Sequence, residues 1–247
     1  MNQFTDVCLI TGGSRGIGAA LARHLASSQR AIWVNFVSRE AEAGQLCADL
    51  LSQGCWAREV RANVADRDAV RQMMTSIQAE HGRLDILVHN AAAALAPKPF
   101  LKLDWSRDVM PPLEVACRGL LNCLQEAEPL LGARTRVVVL LTDALFHRPP
   151  VQMGAYLAAK GALWGIARAA AKEMQRRGVT FAFVSPGMTK TELLGAYGDR
   201  ALELFAQDHP LGRLAEPEEI AAAIGALIEG PEYLHGANLL VNGGIDY

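Results

Sequence analysis

The sequence lacks an excess of either charge, a long apolar run and a paired-cysteine motif. Its 24 Lys and Arg residues nearly balance 26 Asp and Glu residues, so the formal net charge over 247 residues is −2. This balance gives no excess of positive charge that would bind nucleic acid or an anionic membrane surface. No apolar run approaches the roughly 20 residues of a membrane span, and the first residues lack the basic and apolar regions of a signal peptide. We therefore expect a cytoplasmic protein that binds neither nucleic acid nor membranes.

The cysteines form neither a disulfide pattern nor a metal-binding pattern. Five occur, an odd number, at positions 8, 47, 55, 117 and 123, without a CxxC motif and without a histidine beside them. Such cysteines are typical of reduced thiols in the core of a cytoplasmic protein. The six histidines also show no metal-ligand spacing. We expect no metal site.

Short apolar runs rich in β-forming residues alternate with segments of helical period along the whole chain. The pattern predicts strands at 7–10, 31–37, 56–60, 85–89, 136–141, 179–184 and 238–241. It predicts helices at 19–28, 40–52, 66–80, 112–130, 152–177 and 216–229. Strands that are apolar on both faces and alternate with helices indicate an α/β fold, with a parallel sheet covered on both sides. No linker interrupts the pattern, so we expect one domain over residues 1–247, with its longest irregular segments at 91–103 and 186–210.

A glycine-rich loop follows the first predicted strand and opens the first helix. Its sequence is Thr11-Gly12-Gly13-Ser14-Arg15-Gly16-Ile17-Gly18, with the spacing GxxxGxG. Glycines in this context allow a tight turn, a close approach of the backbone to a pyrophosphate and close packing of helix on strand. The free N–H groups of the helix N-terminus then bind the phosphates. The loop predicts a dinucleotide site.

This spacing resembles that of the short-chain dehydrogenase/reductase family, and further motifs match over essentially the whole chain. They are Tyr156…Lys160 (YxxxK), Asn90-Ala91-Ala92 (an Asn-Ala-Gly turn in the family), Pro186-Gly187…Thr191 (PGxxxT) and Val241-Asn242-Gly243-Gly244. The resemblance implies a Rossmann-like, three-layer, doubly wound parallel sheet. It also implies that a nicotinamide cofactor is bound by Gly12, Ser14, Arg15, Gly16, Ile17, Gly18, Arg39, Asn63, Val64, Asn90, Ala91, Tyr156, Lys160, Pro186, Gly187, Thr189 and Thr191.

The end of the second strand favours NADP(H) over NAD. An acidic residue there would bind the ribose hydroxyls of NAD, but the sequence after Val34 has no carboxylate until Glu40. Arg15 and Arg39 flank this point, and guanidinium groups pair with phosphate in a bidentate, charge-assisted manner. We expect these two residues to bind the 2′-phosphate of NADPH.

Tyr156 and Lys160 are the candidate catalytic pair. They are four residues apart, so a helix presents them on one face. A Lys ammonium beside a phenol is expected to lower the phenol pKa from about 10, which suits acid/base catalysis. The family resemblance implies that Tyr156 gives a proton to a carbonyl oxygen while NADPH gives the hydride, and that Lys160 holds the nicotinamide ribose.

The chain departs from the family at three positions near this pair. Asp143 stands thirteen residues before Tyr156, where the family has Ser, and the adjacent Thr142 is expected to point the other way because a strand alternates its side chains. Asp143 resembles the Asp of pteridine reductases, which assists protonation of a pterin. Ala116, three residues before Gly119, stands where the family has an Asn that supports a water relay to the Lys. Ala92 replaces the Gly of the Asn-Ala-Gly turn.

Two further features bear on these departures. Pro111 and Pro112, just before Ala116, are expected to break or restart the helix. The methyl group of Ala92 is expected to crowd the cofactor.

Three functions fit these residues. The first is a 3-oxoacyl-thioester reductase. The sequences of such reductases are similar to this chain at Thr191-Glu192-Leu193 and at Pro210-Leu211-Gly212-Arg213-Leu214. A basic rim that meets an acidic carrier protein could then be formed by Arg107, Arg118 and Arg148. The second is a pteridine reductase that uses Asp143, with Phe100, Phe146 and Tyr197 as candidates to stack on the pterin. The third is a cofactor-binding but catalytically weak partner protein. The family also implies a homotetramer or homodimer, formed through the helix predicted at 152–177, which is rich in small residues.

Overall fold

The computed structural model describes residues 4–147 and 149–245, and its strands form a seven-stranded parallel sheet. The strands are β1 (Asp6–Ile10), β2 (Arg30–Phe36), β3 (Trp56–Arg61), β4 (Leu84–His89), β5 (Leu131–Leu140), β6 (Thr180–Pro186) and β7 (Asn238–Val241). Their order is β3-β2-β1-β4-β5-β6-β7, and every pairing is parallel. The order reverses between β1 and β4, as in a doubly wound fold. The predicted fold class is confirmed.

Helices cover both faces of the sheet. They are α1 (Gly16–Leu25), α2 (Glu40–Ser52), α3 (Arg67–His81), α4 (Met110–Leu113), α5 (Gly119–Ala127), α6 (Gly154–Met174), α7 (Asp199–Asp208) and α8 (Pro217–Glu229). Buried side chains of α1, α2 and α8 pack on one face of the sheet, and those of α3, α5 and α6 pack on the other. Two apolar cores therefore enclose the strands, which explains why the strand sequences are apolar on both sides.

The segment 186–210 is more regular than the sequence predicts. It contains α7 and a 3₁₀ turn at Glu192–Ala196, whereas we expected an irregular stretch. No residue of α7 is fully buried, although its sequence has an apolar face on which Leu202 and Phe205 are half-buried. β5 also begins five residues before its predicted start, because its first part, up to Arg134, is mostly exposed and carries no apolar signal.

The helix that contains Pro111 and Pro112 continues through both prolines. Two π-helical turns, Trp105–Val109 and Glu114–Arg118, flank α4, and α5 follows directly. Proline lacks the N–H that an α-helix requires, and π-turns accommodate such local mismatches within a continuous helix. The predicted break is thus a change of helical type, and the helical stretch begins at Trp105, before the prolines.

All five cysteines are free thiols, as predicted. Four are buried and Cys117 is half-buried, and burial raises the pKa of Cys8, Cys47 and Cys123 to about 12. These thiols are therefore protonated core residues at neutral pH. Within residues 4–147 and 149–245, no helix is long and apolar enough to span a membrane.

Candidate active site

The predicted site residues gather at the carboxyl ends of the strands, on both sides of the point where the strand order reverses. The glycine loop follows β1, Asn90 follows β4, Thr142 and Asp143 follow β5, and Gly187 follows β6. In doubly wound sheets, ligands bind in the crevice at this point. The topology thus brings together segments that are far apart in the sequence.

Two glycines of the loop have backbone conformations that other residues rarely adopt. Gly12 has φ +62° and Gly16 has φ +53°. A Cβ atom at Gly12 would lie 2.9 Å from the Cα of Ala91, and one at Gly18 would lie 2.6 Å from the carbonyl oxygen of Gly12. The loop can therefore fold tightly against α1 and the end of β4 only because these side chains are absent.

Hydrogen bonds lock the loop to the end of β4. The Thr11 hydroxyl accepts from the backbone N–H groups of Asn90 and Ala91, each at 3.1 Å. The Asn90 side chain donates to the carbonyl oxygens of Thr11 and Gly12, each at 2.9 Å. These bonds give Asn90 a structural task besides the predicted one in cofactor binding.

Asn35, a buried residue of β2, belongs to the site although no sequence motif marks it. Its Oδ1 accepts from the N–H of Gly12 at 3.2 Å, and its Nδ2 donates to the carbonyl oxygen of Ala62 at 2.9 Å. A polar side chain within an otherwise apolar buried strand needs such partners. The single Asn in this strand was the available signal.

A cavity of about 380 Å³, named here the glycine-loop cavity, contains most residues predicted to bind the cofactor. It is lined by Gly12, Ser14, Arg15, Gly16, Ile17, Arg39, Asn63, Val64, Asn90, Ala91 and Thr191, among others. Gly18 does not line it, because this glycine is buried beneath the loop and serves close packing. Arg15 and Arg39 are both exposed at its edge, and Arg39 forms an ion pair with Glu42 at 3.1 Å.

The N-terminus of α1 faces this loop without a side-chain cap. Arg15 stands at the capping position and makes no side-chain hydrogen bond there, and the first turn contains no acidic residue. The free N–H groups of such a helix end attract an anion, since they carry the positive end of the helix dipole. Together with the glycine cradle, this fits the pyrophosphate of a dinucleotide.

A second cavity of about 140 Å³, named the tyrosine cavity, brings together the candidate catalytic residues. Its lining includes Thr142, Asp143, Tyr156, Lys160, Pro186, Gly187, Thr189 and Tyr197. It shares Ile17, Asn90, Ala92, Thr191 and Leu193 with the glycine-loop cavity. The two cavities therefore meet, and Ala92 lies at their junction, where its methyl group was expected to crowd a cofactor.

Tyr156 and Lys160 do not interact as the sequence analysis expected. Burial, with a smaller contribution from the negative charge of Asp143, raises the pKa of Tyr156 to about 12. Lys160 donates instead to the carbonyl oxygen of Leu140 at 2.7 Å, and its Nζ lies 6.0 Å from the centre of the tyrosine ring. The expected lowering of the phenol pKa by the ammonium is wrong for this arrangement, because burial dominates over a charge at this distance. Burial also lowers the pKa of Lys160 to about 8.

Thr142 points toward Tyr156, which corrects the expected orientation. The backbone at Thr142 is still extended, but the chain turns at Asp143 into a 3₁₀ turn, so the alternation of a strand does not determine where these two side chains lie. A side-chain hydrogen bond with Thr142 lowers the pKa of Tyr156 and partly offsets the effect of burial. Asp143 begins a 3₁₀ turn, and its Oδ2 lies 3.6 Å from the position of a Cβ on Gly187. Thr142 and Asp143 thus both line the tyrosine cavity.

His89 contacts the helix at the position where the family has Asn. The Nε2 of His89 lies 2.9 Å from the carbonyl oxygen of Ala116, and both residues are buried. Ala116 also lines a third cavity of about 270 Å³, named the alanine cavity, with Ala92–Ala96, Pro111, Pro112, Tyr156 and Lys160. Tyr156 and Lys160 therefore line both the tyrosine cavity and the alanine cavity. Within the described part of the chain, no three His, Cys, Asp or Glu side chains form a group suited to a metal ion.

The chain is similar to known proteins over nearly its whole length. Residues 12–246 match the family model described as Enoyl-(Acyl carrier protein) reductase. The 3-oxoacyl-[acyl-carrier-protein] reductase FabG of Staphylococcus aureus is 28% identical over 98% of this chain and 99% of its own length. The cis-4-hydroxycyclohexanecarboxylate dehydrogenase of Sinomonas cyclohexanicum is 32% identical over 96% of this chain and 95% of its own. A short-chain dehydrogenase from Burkholderia cenocepacia, solved in complex with NADP, superimposes with a TM-score of 0.90 at 29% identity over 100% of both chains.

Proposed function

Because the chain belongs to the short-chain dehydrogenase/reductase family of oxidoreductases, we propose that it reduces a carbonyl group with hydride from NADPH. The substrate that we propose is a 3-oxoacyl thioester, linked to acyl carrier protein or to coenzyme A. The observation that carries the proposal is the junction of the glycine-loop and tyrosine cavities at Ile17, Asn90 and Ala92. A dinucleotide on the loop would reach through this junction to Tyr156.

The charges around the glycine-loop cavity support NADPH as the cofactor. Arg15 and Arg39 line this cavity beside Ser38, and β2 ends at Phe36 without an acidic residue. The ion pair of Arg39 with Glu42 is exposed, and such pairs contribute only about 0–1 kcal/mol. A phosphate that accepts bidentate, charge-assisted bonds competes well with such a pair.

The residues of the tyrosine cavity supply the proton in this reaction. NADPH, when bound, supplies the hydride to the carbonyl carbon. Tyr156 is a neutral phenol at pH 7, because its pKa is about 12, and it donates its proton to the developing alkoxide. Thr142 stabilises the phenolate that remains by a hydrogen bond. Lys160 lines the same cavity, and with a pKa of about 8 it exchanges protons with the solvent near neutral pH and returns a proton to the phenolate through the cavity.

The aromatic residues of the site favour a thioester over a pterin. Of the three candidates to stack on a pterin, only Tyr197 lines the tyrosine cavity. Phe146 packs edge-on against Trp164 at 4.7 Å, and Phe100 is 76% exposed. A flat heterocycle would need aromatic faces or polar groups around its edge. Names of relatives point the same way, since 3-oxoacyl-[acyl-carrier-protein] reductases occur among them.

Pteridine reduction stays the second candidate because Asp143 lines the tyrosine cavity. A carboxyl group assists the protonation of a pterin nitrogen, whereas a carbonyl substrate gains nothing from an ionised carboxylate. Two residues of the basic rim proposed for a carrier protein are exposed. Arg107 and Arg118 form only exposed ion pairs with Asp104 and Glu114, which leaves both able to meet an acidic partner. Arg148 lies outside the described residues.

The test is the oxidation of NADPH by the purified protein with separate substrates. We expect turnover of acetoacetyl thioesters and none of dihydrobiopterin, with Tyr156→Phe as an inactive control that still binds NADPH. Turnover of the pterin alone would overturn the proposal in favour of the second candidate. Binding of NADPH without turnover of any substrate would instead favour the catalytically weak partner protein.

We propose that the chain forms a homotetramer or homodimer. Apolar side chains remain exposed on the outer faces of α5 and α6, where Leu121 and Ile166 are 45% and 39% exposed. β7 is a sheet edge with Leu239 and Leu240 partly exposed. Exposed edges and apolar helix faces favour self-association.

A further inference from the structure

His89, the last residue of β4, donates a buried hydrogen bond to the helix that covers this part of the sheet. Its partner, the carbonyl oxygen of Ala116, can only accept, so the Nε2 of His89 carries the proton. The side chain is 1% exposed, and burial lowers its pKa to about 4. The imidazole is therefore neutral at pH 7. Its Nδ1 is buried and has no hydrogen-bond partner among the residues that the structure describes.

Ala116 belongs to the π-helical turn Glu114–Arg118, which is held from two sides. On the sheet side, His89 binds the carbonyl of Ala116. On the other side, the Sγ of Cys117 lies 3.8 Å from the carbonyl oxygen of Ala159, which directly precedes Lys160. Since α6 also packs against this turn, the turn connects His89 to the helix that carries the catalytic pair. π-Turns occur frequently at functional sites.

Lys160 is the functional group that this connection affects. It lines the alanine cavity together with Ala116. Lys160 and His89 are close enough for the charge on Lys160 to lower the pKa of His89, and Cys117 raises the pKa of Lys160. A displacement of the turn would therefore change the surroundings of the ammonium. At position 116 the chain has only a methyl group, so no side chain of that residue can hold a polar partner in place.

We propose that His89 is a positioning residue, which fixes the π-turn against α6 by its bond to Ala116 and thereby sets the environment of Lys160. This role rests on the proposed function, because it matters for the reaction only if Lys160 takes part in proton exchange. A neutral imidazole suits the task, since it supplies an N–H donor without a second positive charge beside Lys160. His89, at the end of β4, thus holds the π-turn in place, because Ala116 in that turn has no polar side chain of its own to do so.

The test compares two substitutions of His89 in the full chain. His89→Gln keeps an N–H donor of similar reach, whereas His89→Leu keeps apolar volume without a donor. His81→Leu is the matched control, because His81 is a half-buried histidine whose pKa is also lowered by burial, but it packs against Trp56 at 4.7 Å and does not contact the π-turn. If His89→Leu does not fold, His89→Asn takes its place in the comparison, because the amide of Asn is too short to reach the carbonyl oxygen of Ala116.

The first readout needs no substrate or cofactor. It is the pH dependence with which acetic anhydride labels Lys160, followed by mass spectrometry. We expect the midpoint in His89→Leu to rise by about one unit, because a loosened turn admits water to the ammonium. His89→Gln should stay near the wild-type midpoint, and so should His81→Leu. An unchanged midpoint in His89→Leu, or equal shifts in the Gln and Leu variants, overturns the positioning role.

The second readout is the reduction of an acetoacetyl thioester. His89→Leu should lower kcat about tenfold with little change in KM, since about 1.4 kcal/mol of transition-state stabilisation corresponds to a factor of ten. His89→Gln should recover most of kcat. A wild-type protein that reduces no carbonyl refutes the proposed function, while the labelling midpoints still decide the role of His89.

Discussion

Thr142 and Tyr156 line the same cavity, between the end of β5 and the first turn of α6, and the Thr142 side chain lowers the pKa of the Tyr156 phenol. Asp143, the next residue, acts on the same phenol in the opposite direction, because its charge raises the pKa that Thr142 lowers. Two consecutive residues therefore have opposite effects on the proposed proton donor. A hydroxyl group therefore lines the tyrosine cavity one position before Asp143, which stands where the resemblance predicts a Ser.

Replacement of Thr142 tests whether this hydroxyl serves the reaction. Thr142→Val keeps the shape and removes the donor to the phenolate. We expect kcat for an acetoacetyl thioester to fall about 10- to 100-fold, since one hydrogen bond to a charged group contributes about 1.5–3 kcal/mol. Thr142→Ser should restore most of the activity. Unchanged kinetics in Thr142→Val would show that the hydroxyl has no catalytic task.

Replacement of Asp143 tests whether its carboxyl group hinders or assists the proton transfer. Asp143→Ser removes a charge that disfavours phenolate and adds a hydroxyl, so we expect carbonyl reduction to rise by up to about tenfold. Asp143→Asn separates the loss of charge from the gain of the hydroxyl. Steady-state kinetics with the thioester provide the measurement, and a loss of activity in both variants would mean that Asp143 itself donates the proton.

Removal of Arg39 should weaken NADPH binding selectively. We expect Arg39→Ala to raise the Kd of NADPH about tenfold or more and to leave that of NADH unchanged, because only NADPH carries the 2′-phosphate. Arg200→Ala is the matched control, since Arg200 pairs with Glu203 at 3.2 Å in the same i,i+3 arrangement but does not line the glycine-loop cavity. Fluorescence titration with both nucleotides measures the constants. Equal effects on NADH and NADPH would contradict the assignment of the phosphate to Arg39.

The stability of the fold should fall in acid through His89. Its pKa decreases from 6.5 to about 4 in the folded protein, so the unfolded chain binds the extra proton in this window. The contribution of His89 to the free energy of unfolding is therefore fully present above pH 6.5. It is lost as the pH falls toward 4, which lowers the free energy of unfolding by about 3 kcal/mol. Urea unfolding of His89→Gln should show an acid loss smaller by this amount. A variant that loses stability in acid as strongly as wild type would contradict it.

Self-association should appear in the mass of the native particle. Light scattering should give two or four times the chain mass of 26.6 kDa. Charged substitutions at the outer face of α6, such as Ile166→Glu, or on β7, such as Leu240→Lys, should reduce that mass, because charges oppose burial in an interface and pairing of a sheet edge. A monomer in the wild-type protein would refute the expected assembly.

The sequence predicts the fold well because helices cover both faces of the sheet, so that nearly every strand appears as a short apolar run between helical segments. The strands at 7–10 and 238–241 and the helix at 40–52 match the structure closely, since apolar runs between helical segments leave few alternatives. Helix α7 was not predicted, although its sequence has an apolar face that includes Leu202 and Phe205. The helix has only ten residues, too few for this pattern to stand out between the glycines and prolines that surround it.

The site was predictable in membership but not in detail. The residues predicted for the site line two adjoining cavities, apart from Gly18, because the motifs determine where the loops leave the sheet. The orientation of Thr142 and the bond between His89 and Ala116 depend on where β5 ends and on the π-turn. Neither boundary follows from local residue preferences.

The π-turn at Glu114–Arg118 also makes the alanine cavity sensitive to chain length. A π-turn holds one residue more than an α-helical turn, and the helix absorbs this residue locally. Deletion of a single residue between 114 and 118 would therefore restore an α-helical turn and place a different side chain where Ala116 now lines the cavity. The sequence of the helix that carries Tyr156 and Lys160 would not change. Evolution can thus reshape one wall of this substrate-sized space by a change in residue number, without any substitution in the residues that perform the chemistry.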